Sequence, residues 1–305
     1  MRRIAASLVC VLAFGAHGVF AAEGEPADGS TAESEAGTAT PSNDAAEPDL
    51  RVYVFDCGKI FKLDPQRFLP GVEDAVEPID LVDRCYLIQH PEGTLLWDTG
   101  LPSALSSWWV RTLAWVTSFG GINARVDRTL VEQLEELGLT PADIDYVAFS
   151  HLHTDHSGNA NLFAKSTWLV QEPEFAVAFD GSVDGFDKSY YDALENAPRV
   201  VLDGDHDVFG DGRVRILSAP GHTPGHQCLL VRLAERGPIL LSGDLYHTKR
   251  NRELRVAPSF NTDREQTVES MERIERILEE TGAELLIQHD IESNRDIPLS
   301  PVALQ

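Results

Sequence analysis

Basic residues are scarce in this chain: 25 Lys and Arg stand against 49 Asp and Glu, for a formal charge of −24. A phosphate backbone is gripped by a Lys/Arg-rich face, so this balance argues against nucleic acid as a partner. Cysteine is sparse too, at 4 residues, and no C-x-x-C pair occurs, which leaves little material for a thiolate zinc knuckle. Uninterrupted apolar runs fall short of the roughly 20 residues that a membrane-spanning helix needs. The N-terminal run Ile4–Phe14 follows Arg2 and Arg3 and precedes the small-residue pattern Val19-Phe20-Ala21. That layout is an export signal over residues 1–21, with an uncut N-terminal anchor as the alternative. No repeat of fixed short period appears.

From Ala22 to Asp49 there is no Lys, Arg or aromatic residue, only Ala, Gly, Ser, Thr, Pro, Asn and acids. Such a stretch cannot bury enough apolar surface to offset the entropy of ordering it, so 22–49 is expected to be a disordered acidic tether. The formal charge falls to −26 without Arg2 and Arg3 and stands at −18 once the eight acids of the tether are set aside. Residues 50–305, the folded domain, are therefore acidic in their own right. This suits a periplasmic or secreted protein, with no stable membrane insertion after signal removal and a neutral or weakly charged small-molecule substrate. Cys57 and Cys85 fall in two predicted strands, where an oxidising compartment would allow a bridge; with Cys228, three buried free thiols is the other reading.

Short apolar, β-branched or aromatic runs punctuated by Gly, Asp and Pro predict strands at 51–57, 85–89, 94–97, 145–150, 167–171, 199–202, 213–218, 227–233, 239–242 and 284–288. Leu130, Val131, Leu134 and Leu137 recur at helical spacing within 126–137, closed by Gly138. Thr262 and Glu265 form a capping-box pattern for a helix that lines up Val268, Met271, Ile274, Ile277 and Leu278 and ends before Gly282. Two strand-rich halves with helices predict an α+β architecture of two packed sheets covered by helices.

The chemistry is concentrated in His151-Leu152-His153-Thr154-Asp155-His156, at the end of a predicted strand. Three imidazoles and a carboxylate in six residues suit a borderline metal that takes nitrogen and oxygen ligands. Alternation lets His151 and His153 face one way, leaving Asp155 and His156 for a second ion. Two sites need more ligands, and His222, Asp244 and His289 each follow a predicted strand. Rigid strand ends can aim all three into one cleft.

The order H-x-H-x-D-H, then Gly221-His222-Thr223-Pro224-Gly225-His226, then Gly243-Asp244, then His289 resembles the metallo-β-lactamase superfamily over most of 50–292. The resemblance implies an αββα sandwich of two mixed sheets covered by helices. It implies that His151, His153 and His222 hold one divalent ion, that Asp155, His156 and His289 hold the other, and that Asp244 bridges them. Zinc is the expected metal, with iron or cobalt as the other ions such ligands accept. Asp98, in Leu96-Trp97-Asp98-Thr99-Gly100, matches an early Asp that orients a ligand histidine, and His226 is assigned a supporting role. Water shared by two close cations becomes a hydroxide nucleophile near neutral pH, and Asp155 is placed to pass a proton to the leaving oxygen.

Within the superfamily the motifs are most similar to N-acyl homoserine lactonases, which implies an acyl lactone as substrate. Bridging Asp244 argues against the β-lactamase branches. One departure stands out: those lactonases carry a tyrosine three residues after the bridging Asp, where this chain has His247 with Tyr246 just before it. Either His247 takes over as a substrate donor, the loop presents Tyr246, both simply pack, or the substrate has changed. Trp108, Trp109, Trp115 and Phe119 lie in an insertion that could wall an acyl chain, or pack as a helix on the sheets. Alternative readings are hydrolysis of another ester, thioester or β-lactam, a metal-binding homologue without turnover, and an iron-loaded oxidative enzyme.

Overall fold

The computed structural model describes residues 50–110, 112 and 123–305, all within one compact unit. The expected signal and tether lie outside the described residues, as do Trp115 and Phe119. Among the described residues no helix is long and apolar enough to cross a membrane.

The larger sheet runs in the order β13 (Ala303–Leu304), β1 (Arg51–Leu63), β2 (Ile79–His90), β3 (Gly93–Trp97), β5 (Tyr146–Ala148), β6 (Thr167–Gln171) and β7 (Arg199–Leu202), and β4 (Asn123–Arg125) also pairs with β1. The smaller runs β12 (Glu284–Leu286), β11 (Gly237–Leu241), β10 (Gln227–Leu233), β9 (Val214–Ser218) and β8 (His206–Asp207). Both are mixed: β3, β5, β6 and β7 pair in parallel, as do β11 and β12, while the other pairs are antiparallel.

Side chains alternate across each strand, and here both faces are buried. Leu95 and Trp97 of β3 and Leu229 and Val231 of β10 point into one core shared by the two sheets. Leu96 instead joins the layer with Leu130 and Leu134 of the helix Leu130–Glu136. On the far side, Leu230 meets Met271, Ile274 and Leu278 of the helix Arg264–Thr281. The result is helix, sheet, sheet, helix, as the sequence predicted.

Local differences have local causes. The helix predicted within 126–137 starts at Leu130 because Thr129 caps it: its Oγ1 accepts from Glu132 N, and the Glu132 carboxylate accepts from Thr129 N. The long helix is capped by Asp263, whose Oδ1 accepts from Gln266 N, and not by the predicted Thr262–Glu265 box. Cys57 and Cys85 are disulfide-bonded, with Cα atoms 5.9 Å apart, and Cys228 is a buried free thiol.

Candidate metal centre

Every predicted ligand follows the C-terminal end of a strand: His151, His153, Asp155 and His156 after β5, His222 after β9, Asp244 after β11 and His289 after β12. Asp98 follows β3 in the same way. The inter-sheet core fixes these strand ends, so the loops they carry converge without being regular themselves.

Two groups of donor atoms result. His151, His153, His222 and Asp244 form one, and Asp155, His156 and His289 the other; within each group the donor atoms lie within 4.8 Å of one another. His151 Nε2 is 2.8 Å from His153 Nδ1, and His222 Nε2 is 3.1 Å from both. In the second group His156 Nε2 and His289 Nε2 are 3.1 Å apart. Asp244 stands between the groups: its Oδ2 is 3.2 Å from His222 Nε2, while its Oδ1 is 3.2 Å from His156 Nε2 and 3.0 Å from His289 Nε2. Asp155 is looser, at 3.9 Å from His289 Nε2, and its side chain is 25 % exposed, against at most 4 % for Asp244, His156 and His289. To reach this position Asp244 leaves β11 through Gly243 at φ 51°, where a Cβ would stand 2.6 Å from that of Ser150.

The far nitrogen of most rings is already committed to an acceptor. His153 Nε2 donates to Asp184 O, His222 Nδ1 to Asn261 Oδ1, His289 Nδ1 to Val82 O and His156 Nδ1 to Asp98 Oδ2. With a cation in place of any proton on the cage-side nitrogen, each ring turns a lone pair inward, the arrangement that ligand histidines require. Lone pairs at 2.8–3.1 Å repel unless a cation or a proton lies among them. This donor set, nitrogen-rich with carboxylate oxygen, fits two divalent cations.

Charge divides the same way. Burial drives His153 down to about 3, and drives His151 well below its ordinary range, so these rings are neutral. Burial also opposes charge on His289, but Asp244 outweighs it and lifts that ring to about 9. Asp244 itself is pushed up by burial, yet His247, His289 and His156 together hold it well below the usual carboxylate range.

Asp98, at φ 59°, accepts from Ser150 N at 2.6 Å and from Gln288 Nε2 at 2.7 Å as well as from His156. His226 accepts from Asp244 N at 3.0 Å and so holds the backbone of that residue. Sequence reasoning did not assign Asn261, Gln288 or Glu174. Gln288 stands beside His289 and Asn261 beside the capping residues of the long helix, but the acceptors Val82 O and Asp184 O are backbone atoms and leave no residue-type signal.

Tyr246 and His247 part company. Tyr246 points away from the cluster, buried against the long helix, where its hydroxyl donates to Glu275 Oε1 at 2.8 Å. Of the alternatives that the sequence left open, presentation of Tyr246 by the loop is not the one adopted: adjacent residues on an extended segment face opposite ways, and its side belongs to the outer layer. His247 is the one at the cage, with Nε2 2.9 Å from Asp244 Oδ2 and Nδ1 buried without a hydrogen-bond partner among the described residues. Its ring packs edge-on against Phe68 at 5.2 Å and Phe260 at 5.4 Å. Trp108 and Trp109 are 71 % and 59 % exposed, so neither packs on the sheets as a covering helix would.

The profile of the metallo-beta-lactamase superfamily matches residues 81–286. The chain is 33% identical to the N-acyl homoserine lactonase AttM of Azorhizobium caulinodans over 67% of its own length and 80% of that protein. It is 32% identical to an N-acyl homoserine lactonase of a Bacillus species over 76% and 91%. A solved N-acyl homoserine lactone hydrolase, with the product N-hexanoyl-L-homoserine at its catalytic metal center, superposes with a TM-score of 0.71 at 28% identity, over 83% of this chain and 98% of that one. The chain belongs to the metallo-beta-lactamase superfamily of metal-dependent hydrolases.

Proposed function

We propose that this protein is an exported lactonase that opens the ring of N-acyl homoserine lactones, using two zinc ions held by His151, His153, Asp155, His156, His222, Asp244 and His289. One observation carries the dinuclear reading: the two oxygens of Asp244 are divided between two sets of inward-facing imidazole nitrogens. When bound, two divalent cations supply an activated water at neutral pH and a Lewis acid for the ester carbonyl. Asp155, the cage carboxylate open to solvent, takes the proton of the attacking water and returns it to the ring oxygen as the C–O bond breaks. The similarity to lactonases across most of the fold supports the substrate class.

His247 takes a different part from the donor role, which was one of the readings open in the sequence. Burial keeps it neutral against the pull of Asp244, and its Nε2–H is spent on Asp244 Oδ2. Its Nδ1 is then a lone pair, matched to the amide N–H of an acyl homoserine lactone rather than to the carbonyl. Phe68 and Phe260 beside it supply an apolar wall. The Cys57–Cys85 disulfide supports export, because such bonds persist in oxidising compartments.

Ring opening releases a proton, so a pH-stat reads it directly. Short- and long-chain acyl homoserine lactones, a chromogenic β-lactam and a thioester are assayed in parallel, with and without chelator. Chelator-sensitive turnover confined to the lactones is expected; preferential turnover of the β-lactam or thioester would replace the substrate assignment.

A further inference from the structure

Glu174 is a buried carboxylate outside both donor groups. It lies on the helix Glu172–Val177, directly after β6, and its residue is 2 % exposed. No Lys or Arg pairs with it among the described residues. Instead its Oε1 accepts from Leu152 N at 3.0 Å and Thr223 Oγ1 at 3.0 Å, and its Oε2 accepts from Gly225 N at 2.8 Å. Leu152 stands between His151 and His153, and Thr223 follows His222. One carboxylate thus ties together the two loops that carry all three imidazoles of the first donor group. Backbone approach here is close: a Cβ on Gly225 would stand 2.5 Å from Glu174 N and 2.5 Å from Glu174 Cβ. Gln227 makes a second tie lower down, donating from Nε2 to Phe149 O at 2.8 Å, but it reaches the strand end rather than the ligand loops.

A buried carboxylate without a counter-ion is costly to keep. Burial pushes its carboxyl up to about 7, even though Gly225, Thr223 and Leu152 all donate to it. A fold needing only to join two loops could use a neutral amide or an apolar contact. In its ionised form the carboxylate also favours a cation among His151, His153 and His222.

Resting on the metal reading above, we infer that Glu174 is a positioning residue for the first cation: it sets the spacing of the His151–His153 and His222 loops and contributes to the affinity of that group alone. Glu174→Gln tests this. The amide nitrogen cannot accept from Gly225 N, so one of the three ties becomes a contact between two donors. Metal-free protein is titrated with Co2+ against a competing chelator, followed by visible absorption, with His222→Ala marking which equivalent belongs to the first group. Wild type is expected to bind two equivalents. Glu174→Gln is expected to hold the first-group ion about 10–100-fold more weakly while the other equivalent is unchanged, the range typical of groups that support ligands. Thr223→Val, which deletes a single tie, shifts the same equivalent by less, and it decides the matter should Glu174→Gln not fold. Folded variants with wild-type affinity at both equivalents, or equal losses at both, overturn the inference and leave the metal reading standing. Failure of the wild type to bind any Co2+ would overturn both.

Discussion

Replacing Asp98 by Asn tests how lone pairs are aimed at the second donor group. Asn tolerates the left-handed backbone that this position adopts at φ 59°. Its Oδ1 can still accept from Ser150 N, which lies 2.6 Å from the Asp98 oxygen it would replace. The change falls on the other oxygen, which takes hydrogen bonds from His156 Nδ1 at 3.1 Å and Gln288 Nε2 at 2.7 Å. An NH2 there meets a donor on Gln288 and can pair with His156 only if Nδ1 becomes the acceptor. The ring proton then moves to Nε2, into the cage. Gln288 can turn its amide over, since its Oε1 has no partner among the described residues, but it then loses the bond from Nε2 to Arg84 O. That costs about 1 kcal/mol of stability. The tautomer change weakens the second ion by about 10–100-fold, or about 1.4–2.7 kcal/mol, and leaves the first ion unaffected. Chelator competition on metal-free protein reads both equivalents. Unchanged affinity at the second equivalent would refute the assignment of Asp98 as the residue that fixes the His156 tautomer.

Further expectations come from groups around the site. Burial lifts the carboxyl of Asp83 to about 7 in the metal-free fold, and its Oδ1 has no partner among the described residues. A folded pKa above the unfolded one gives stability that is present at low pH and lost as pH rises from about 4 through about 7, here by no more than about 4 kcal/mol. Metal-free Asp83→Asn should therefore melt higher than wild type at pH 8 and close to it at pH 4; equal melting at pH 8 contradicts this. Reducing the Cys57–Cys85 bridge, which spans 28 residues, should lower stability by about 3.5 kcal/mol, and an unchanged denaturation midpoint in dithiothreitol would count against that value. Tyr246→Phe deletes the bond to Glu275 and should cost about 1 kcal/mol in a urea melt with kcat and KM unaltered, whereas a change in kcat would return Tyr246 to the reaction.

Much of this was legible in the chain itself. Strand residues such as Leu95 and Trp97 are buried because the pattern of apolar runs admits few other arrangements, and the helix bearing Met271 and Ile274 follows from its spacing. His151, His153, Asp155 and His156 stand within six residues, so their convergence could be read directly. His222, Asp244 and His289 were reached because each follows a predicted strand and because their order matches the superfamily pattern. What stayed hidden depends on orientation. Tyr246 and His247 are neighbours with equal claims in sequence, and only the direction of the segment separates them. Glu174 carries no motif around it, and the partner of His289 is the carbonyl of Val82, an atom every residue possesses. The cap at Asp263 was missed because Thr262 and Asp263 both suit an N-cap, and backbone geometry chose between them.

The most direct trial measures metal content and lactone opening on the same dialysed sample. Two ions per chain are expected, with proton release from an acyl homoserine lactone disappearing as they are removed and returning when Zn2+ is restored. His222→Ala and His289→Ala should each keep one ion and lose turnover. Protein that is free of metal and still opens the ring at the full rate would contradict the account at its root.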